Sequence, residues 1–235
     1  MDSQHNRPVV ELDQVTFTWP GNDEPTLDIR TLSVNTGEHL FIKGPSGCGK
    51  STLLGLLTGI HTATQGQVSV LGQALSAMTG SQRDKFRADN IGYIFQQFNL
   101  LPYLNVVENV MLPCQFSAYR RQQVNGDLSA KAIELLQQLH LPNSLLSKPV
   151  AELSIGQQQR VAAARALMGQ PKVIIADEPT SSLDFDNRSA FIKLLLERVN
   201  QANSTLLFVS HDPTLEAYFD KTINLQQINH AGGAL

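Results

Sequence analysis

Residues 44 to 52 read Gly44-Pro45-Ser46-Gly47-Cys48-Gly49-Lys50-Ser51-Thr52. The spacing is G-x-x-x-x-G-K-[ST], and its setting decides the fold: an apolar stretch at 38–43 runs into it, and 50–57 reads as a helix leaving it. Glycines at such a strand-to-helix turn let backbone N–H groups face inward around phosphate oxygens, where a Cβ would obstruct the approach. Lys50 then brings a point charge to the β and γ phosphates, Ser51 offers a hydroxyl to Mg²⁺, and Thr52 reaches the α phosphate. Cys48 sits within this loop as a tolerated small residue rather than a nucleophile.

Working outward, residues 9–19 alternate Leu12, Val15, Phe17 and Trp19 with Asp13, Gln14, Thr16 and Thr18, the pattern of a half-buried strand turned by Pro20-Gly21-Asn22-Asp23. A second strand is expected at 27–34, a further one at 67–71, and another at 91–96 with Ile91, Tyr93 and Phe95 on one face. From 105 to 149 the period becomes helical: Ala132, Leu135, Leu136 and Leu139 fall at i, i+3, i+4 and i+7, which marks an inserted helical lobe. A helix at 156–168, a short buried-type strand at 172–176, a helix at 187–200 and a strand at 205–209 complete the alternation of a parallel α/β sheet. The tail, 226–235, is expected to be loosely held.

Composition narrows the function classes. With 235 residues, 42% of them hydrophobic and 17% charged, the chain can bury a sizeable core, which excludes a disordered tail. A formal charge of −3 provides no global basic field, so no nucleic-acid partner is expected. Two cysteines, Cys48 and Cys114, are too few for a disulfide framework and fit a reducing cytoplasm. The polar opening residues lack a secretory leader pattern, and no apolar run is long enough to span a bilayer, so the expected location is cytoplasmic.

Two further stretches carry chemistry. Val173-Ile174-Ile175-Ala176-Asp177-Glu178 is an apolar strand ending in two acids, an arrangement that brings a carboxylate to the C-terminal edge of a parallel sheet. There Asp177 would hold Mg²⁺, and Glu178 would polarise an attacking water as general base. Leu153-Ser154-Ile155-Gly156-Gln157 opens the 156–168 helix with a serine and a glycine, a second anion-ready helix end. Two phosphate-binding termini with only one lysine-bearing loop are redundant in a monomer, and two copies head to tail resolve the redundancy.

At this point the chain resembles the ATP-binding subunit of ABC transporters, over residues 9 to about 225. The stretch 44–52 resembles the family's Walker A, Phe95-Gln96 its Q-loop, 153–157 its signature, 173–178 its Walker B, Ser181-Ser182-Leu183-Asp184 its D-loop, and Ser210-His211-Asp212 its switch histidine. The resemblance implies an α/β P-loop NTPase with a parallel-sheet core, an antiparallel β subdomain and an inserted helical subdomain. It forms a single domain, with a core lobe over about 9–90 and 160–225 and a helical lobe over about 97–158.

It further implies a homodimer that sandwiches two ATP molecules, each between the Walker A loop of one chain and Ser154, Gly156 and Gln157 of the other. Trp19 matches the aromatic that stacks on adenine, with Phe17 the nearest substitute. Gln96 senses Mg²⁺ and water, His211 contacts the γ-phosphate, and Asp184 couples the two sites. The family usually has glycine where this chain has Ile155.

The stretch 91–113 is similar to the lipoprotein-releasing and macrolide-efflux branch. That implies integral membrane permease partners, a position on the inner face of the membrane and a lean toward export. Phe98, Leu100, Leu101, Tyr103 and Leu104 are the expected permease groove. The competing readings are a soluble ATPase of the same type and a regulatory nucleotide-binding module not coupled to transport.

Overall fold

The computed structural model describes residues 8–181, 183 and 185–231. In chain order the strands and helices are β1 (Pro8–Phe17), β2 (Leu27–Asn35), β3 (Leu40–Lys43), α1 (Lys50–Leu57), β4 (Gln65–Val70), β5 (Gln73–Ala74) and α2 (Gly80–Asn90). They continue as β6 (Ile91–Ile94), α3 (Val106–Phe116), α4 (Ala118–Gln123), α5 (Leu128–Gln138), α6 (Ile155–Leu167) and β7 (Val173–Asp177). The last are α7 (Phe185–Gln201), β8 (Thr205–Val209), β9 (Lys221–Asn224) and α8 (Leu225–Ile228). The chain divides into two compact units: one is built from both chain ends, up to Arg87 and from Leu207 onward, and the other is the contiguous stretch Ala88–Leu206.

In the first unit β1 is the hinge of an antiparallel sheet ordered β2-β1-β4-β5. The apolar positions Leu12, Val15 and Phe17 cannot all share one face of a regular strand, because 12 and 15 differ by an odd number. The backbone resolves this by a register shift against β4 between Asp13 and Thr16, with Gln14 at φ 49°. Leu12, Val15 and Phe17 are consequently all buried. The expected strand at 9–19 therefore ends at Phe17, and Trp19 lies beyond it.

The same unit holds β3 in parallel register between β8 and β9, with Ile42 opposite both Val209 and Ile223. Phe41, Phe208 and Phe219 form its aromatic core at centroid separations of 5.1–6.0 Å. Helix α2 carries a single buried side chain, Phe86, so it gave no hydrophobic period and sequence reasoning missed it. Polar contacts hold it instead. Arg83 donates to Gly59 O and Met78 O, and Arg87 donates to Thr58 O, which places two cations at the negative end of α1.

The second unit pairs β6 with β7 in parallel and packs α3, α5 and α6 together. Strand β7 is buried from Val173 to Ala176, as its uninterrupted apolar run requires. Gly92 makes β6 possible: a Cβ there would stand 2.2 Å from Ala166 O and 2.6 Å from Ile174 Cδ1. Gly92→Ala is expected to cost about 3 kcal/mol and lower the melting temperature by about 10 °C. An unchanged thermal melt would place the α6 backbone elsewhere.

The expected strand at 91–96 stops at Ile94, leaving Phe95 and Gln96 exposed beyond it. The expectation of a loosely held tail at 226–235 is overturned for its described residues, 226–231. Asn229 Oδ1 accepts from Asp28 N at 2.8 Å and from Ala231 N at 3.1 Å, Asn229 Nδ2 donates to Thr26 O at 3.0 Å, and His230 N donates to Asp28 O. A short sequence of polar residues can be fixed by one well-placed amide, which composition alone does not reveal. Residues 232–235 lie outside the described part.

Candidate functional site

The loop between β3 and α1 has the geometry its glycines predict. Gly47 takes φ 81° and Gly49 φ 99°, both left-handed. A Cβ on Gly49 would strike Leu27 Cδ2 at 2.6 Å, so that glycine serves packing, whereas nothing lies within 4 Å of a Cβ on Gly47, so its opening faces outward. The N-terminus of α1 has no side-chain cap and no acid in its first turn. By contrast α3, α4, α5 and α6 are each capped by Asn105, Ser117, Asp127 and Ser154. An α1 end without a side-chain cap or a first-turn acid is what a phosphate cradle requires.

Lys50 folds across this loop, its Nζ donating to Gly44 O at 2.8 Å and to Pro45 O at 2.9 Å. Ser51 is exposed and Thr52 is buried. Pro45, Ser46, Gly47 and Cys48 border an open cavity of ≈ 420 Å³, closed on another side by Gln226 and Asn229. Asn229 Nδ2 also donates to Cys48 O at 3.4 Å, so the last helix braces the loop. In the same unit Trp19 is 38% exposed and contacts Phe17 and His61, and His211 is exposed just after β8. Neither Asn229 nor His61 was found from sequence, since neither belongs to a motif.

The second unit holds the two acids. Asp177 ends β7 and accepts from the Tyr93 hydroxyl at 3.4 Å. Burial, then the neighbouring Asp177 charge, raises the Tyr93 phenol well above its usual range, so it stays a donor. Glu178 follows at φ 45°, a left-handed conformation uncommon for a side-chain-bearing residue, and its carbonyl accepts from Ser181 N. Asp184 lies outside the described residues.

Helix α6 opens one residue earlier than expected, at Ile155, because Ser154 is its N-cap. Gln157 N donates to Ser154 Oγ at 3.4 Å, and Ser154 N donates to Gln157 Oε1 at 3.0 Å. Ile155 is 53% exposed, and a Cβ on Gly156 would meet only Leu183 Cδ2, at 3.8 Å. Among the described residues packing gives no reason for glycine at 156. Beyond Gln96, Phe98 and Asn99 both take positive φ, and Arg165 of α6 donates to both carbonyls.

The groove expectation is corrected at one position. Phe98, at φ 61°, is buried, while Leu100, Leu101 and Leu104 are half-buried and Tyr103 is 77% exposed. No described helix is long and apolar enough to cross a membrane.

Residues 27–181 match the family model for the ABC transporter. The chain is 41% identical over 195 residues to the lipoprotein-releasing system ATP-binding protein LolD of Psychrobacter arcticus, covering 83% of this chain and 84% of that protein. It is 42% identical over 208 residues to the ABC transporter ATP-binding protein YbbA of Escherichia coli, covering 87% and 89%. Among solved structures it resembles the ATP-binding cassette MJ0796, described as a dimeric post-hydrolysis state bound to ADP and Pi. The TM-score is 0.80 and the identity 33%, with 92% of this chain and 95% of that one covered. With the family model matched over 27–181 and relatives above 40% identity covering more than four fifths of both chains, the chain belongs to the ABC transporter family as an ATP-binding, ATP-hydrolysing subunit.

Proposed function

We propose that two copies of this chain close around two ATP molecules and use that closure to drive integral membrane permease subunits on the inner face of the membrane. The likeness to a lipoprotein-releasing ATP-binding protein and to a dimeric cassette supports this reading, and it favours extrusion of lipoprotein, peptide or drug over uptake. The observation that carries it is Gly156: at the start of a helix already capped by its own Ser154, a Cβ there would meet only Leu183 Cδ2, at 3.8 Å, so no described neighbour within the chain demands glycine.

In this reading the core lobe spans about 9–90 and 160–225 and the helical lobe about 97–158. The open α1 terminus, with Gly44 to Gly49 and Thr52, binds the triphosphate, and Lys50 exchanges its two loop carbonyls for phosphate oxygens. Glu178 takes the proton from water attacking the γ-phosphorus, and His211 steadies the phosphate that leaves. Trp19 stacks on the base. Ser51, Gln96 and Asp177 offer oxygen donors of the kind Mg²⁺ accepts, and bound Mg²⁺ would neutralise β- and γ-phosphate charge. Ser154, Gly156 and Gln157 complete the partner's site.

Gly156→Ala tests the dimer. Since the methyl has room, the melting temperature of the isolated chain should stay within about 3 °C of wild type, while ATP turnover falls about tenfold or more. Full turnover in this variant would remove the signature glycine from the partner's site. Co-purification from membranes should recover an integral permease.

A further inference from the structure

Trp19 is held in a way that ordinary core packing does not explain. It lies past the end of β1 and stays 38% exposed, yet two rings fix it from behind. The Phe17 ring stands 5.0 Å away at 86°, and the His61 ring 4.8 Å away at 75°. Phe17 and His61 are themselves 5.5 Å apart, so the three rings close a triangle. Edge-to-face contacts of this kind restrict rotation of the indole while leaving part of it open to a ligand.

The third ring is in turn fixed to the phosphate-binding helix. His61 N donates to Gly55 O at 3.0 Å, and the imidazole lies so close to α1 that a Cβ on Gly55 would stand 2.2 Å from His61 Cδ2. Only a glycine at this turn of α1 admits the ring. The strand side is fastened as well: Thr64 N donates to Thr16 O at 2.8 Å, and Thr18 N donates to Thr64 Oγ1 at 3.0 Å. His61 therefore spans two structures, the indole on one side and the helix that begins at Lys50 on the other.

We infer that His61 is a positioning residue for the nucleotide base: seated in the Gly55 notch, it sets the Trp19 ring at a fixed place relative to the phosphate-binding helix. This rests on the reading that Trp19 stacks on adenine. Pre-organising the indole avoids the loss of rotamer freedom that binding would otherwise exact, so the benefit falls on ligands that carry a base. A base-free polyphosphate gains nothing from it.

The chain has a single tryptophan, so its emission reports position 19 alone. In the full chain, ADP and inorganic tripolyphosphate are titrated while that emission and calorimetric heats are followed. ADP should change the emission, and His61→Ala should weaken ADP about fivefold while leaving tripolyphosphate affinity unaltered. His61→Phe, which keeps a ring in the notch, should bind ADP within about twofold of wild type. In turnover assays His61→Ala should raise KM for ATP by the same factor with little change in kcat.

If His61→Ala binds ADP as wild type does while ADP still perturbs the Trp19 emission, the inference on His61 fails and base stacking stands. Equal weakening of ADP and tripolyphosphate would overturn it too, by making His61 a general support of the loop. If ADP leaves the emission untouched and Trp19→Ala binds ADP normally, the stacking reading itself falls.

Discussion

Lys50→Ala is expected to weaken ATP binding by about 10³-fold and to abolish measurable turnover. The triphosphate is a concentrated negative charge, and removing the partner of a desolvated charge pair costs about 3–5 kcal/mol, roughly two to three and a half decades in affinity. The folded chain loses far less. The two bonds from Nζ to Gly44 O and Pro45 O contribute on the order of 1 kcal/mol each, so the melting temperature should fall by only about 5 °C. Isothermal titration beside a thermal melt separates the two effects, and an affinity within threefold of wild type would remove Lys50 from the phosphate site.

Glu178→Gln should do the opposite in kind. The amide preserves size and accepts the same left-handed backbone, so nucleotide binding persists, but it cannot take a proton from water. Hydrolysis is expected to slow by about 10²-fold or more. With ATP and Mg²⁺ this variant should accumulate as a dimer in light scattering, because the closed state is no longer discharged. Lys50→Ala under the same conditions should remain monomeric. Turnover of Glu178→Gln at the wild-type rate would reject Glu178 as the base, and persistent monomer would count against closure around two nucleotides.

The readable parts of this chain are those where chemistry forces a local pattern. Gly49 and Lys50 announce a strand-to-helix phosphate turn, and the run Val173–Ala176 announces a strand covered on both faces. What escaped is set by partners distant in sequence. Helix α2 buries only Phe86 and is fastened by Arg83 and Arg87 to carbonyls of an earlier turn, which no periodicity records. Asn229 reaches Thr26 and Cys48 across about two hundred positions. The bulge at Gln14 follows from a parity mismatch between Leu12 and Val15 that was visible but unread. His61 needed Gly55 and Trp19 in space before its ring had meaning.

The two units differ in how they can be made. Residues 88–206 form one uninterrupted stretch of sequence, complete once Leu206 has left the ribosome. The unit bearing the phosphate loop has no such independence: β3 waits for β8 and β9, and Cys48 waits for Asn229, 181 positions later. During translation the unit bearing this loop is therefore the last to be completed, and a nascent chain interrupted before Asn229 would leave the loop without its brace, the kind of unfinished segment that chaperones and proteases recognise.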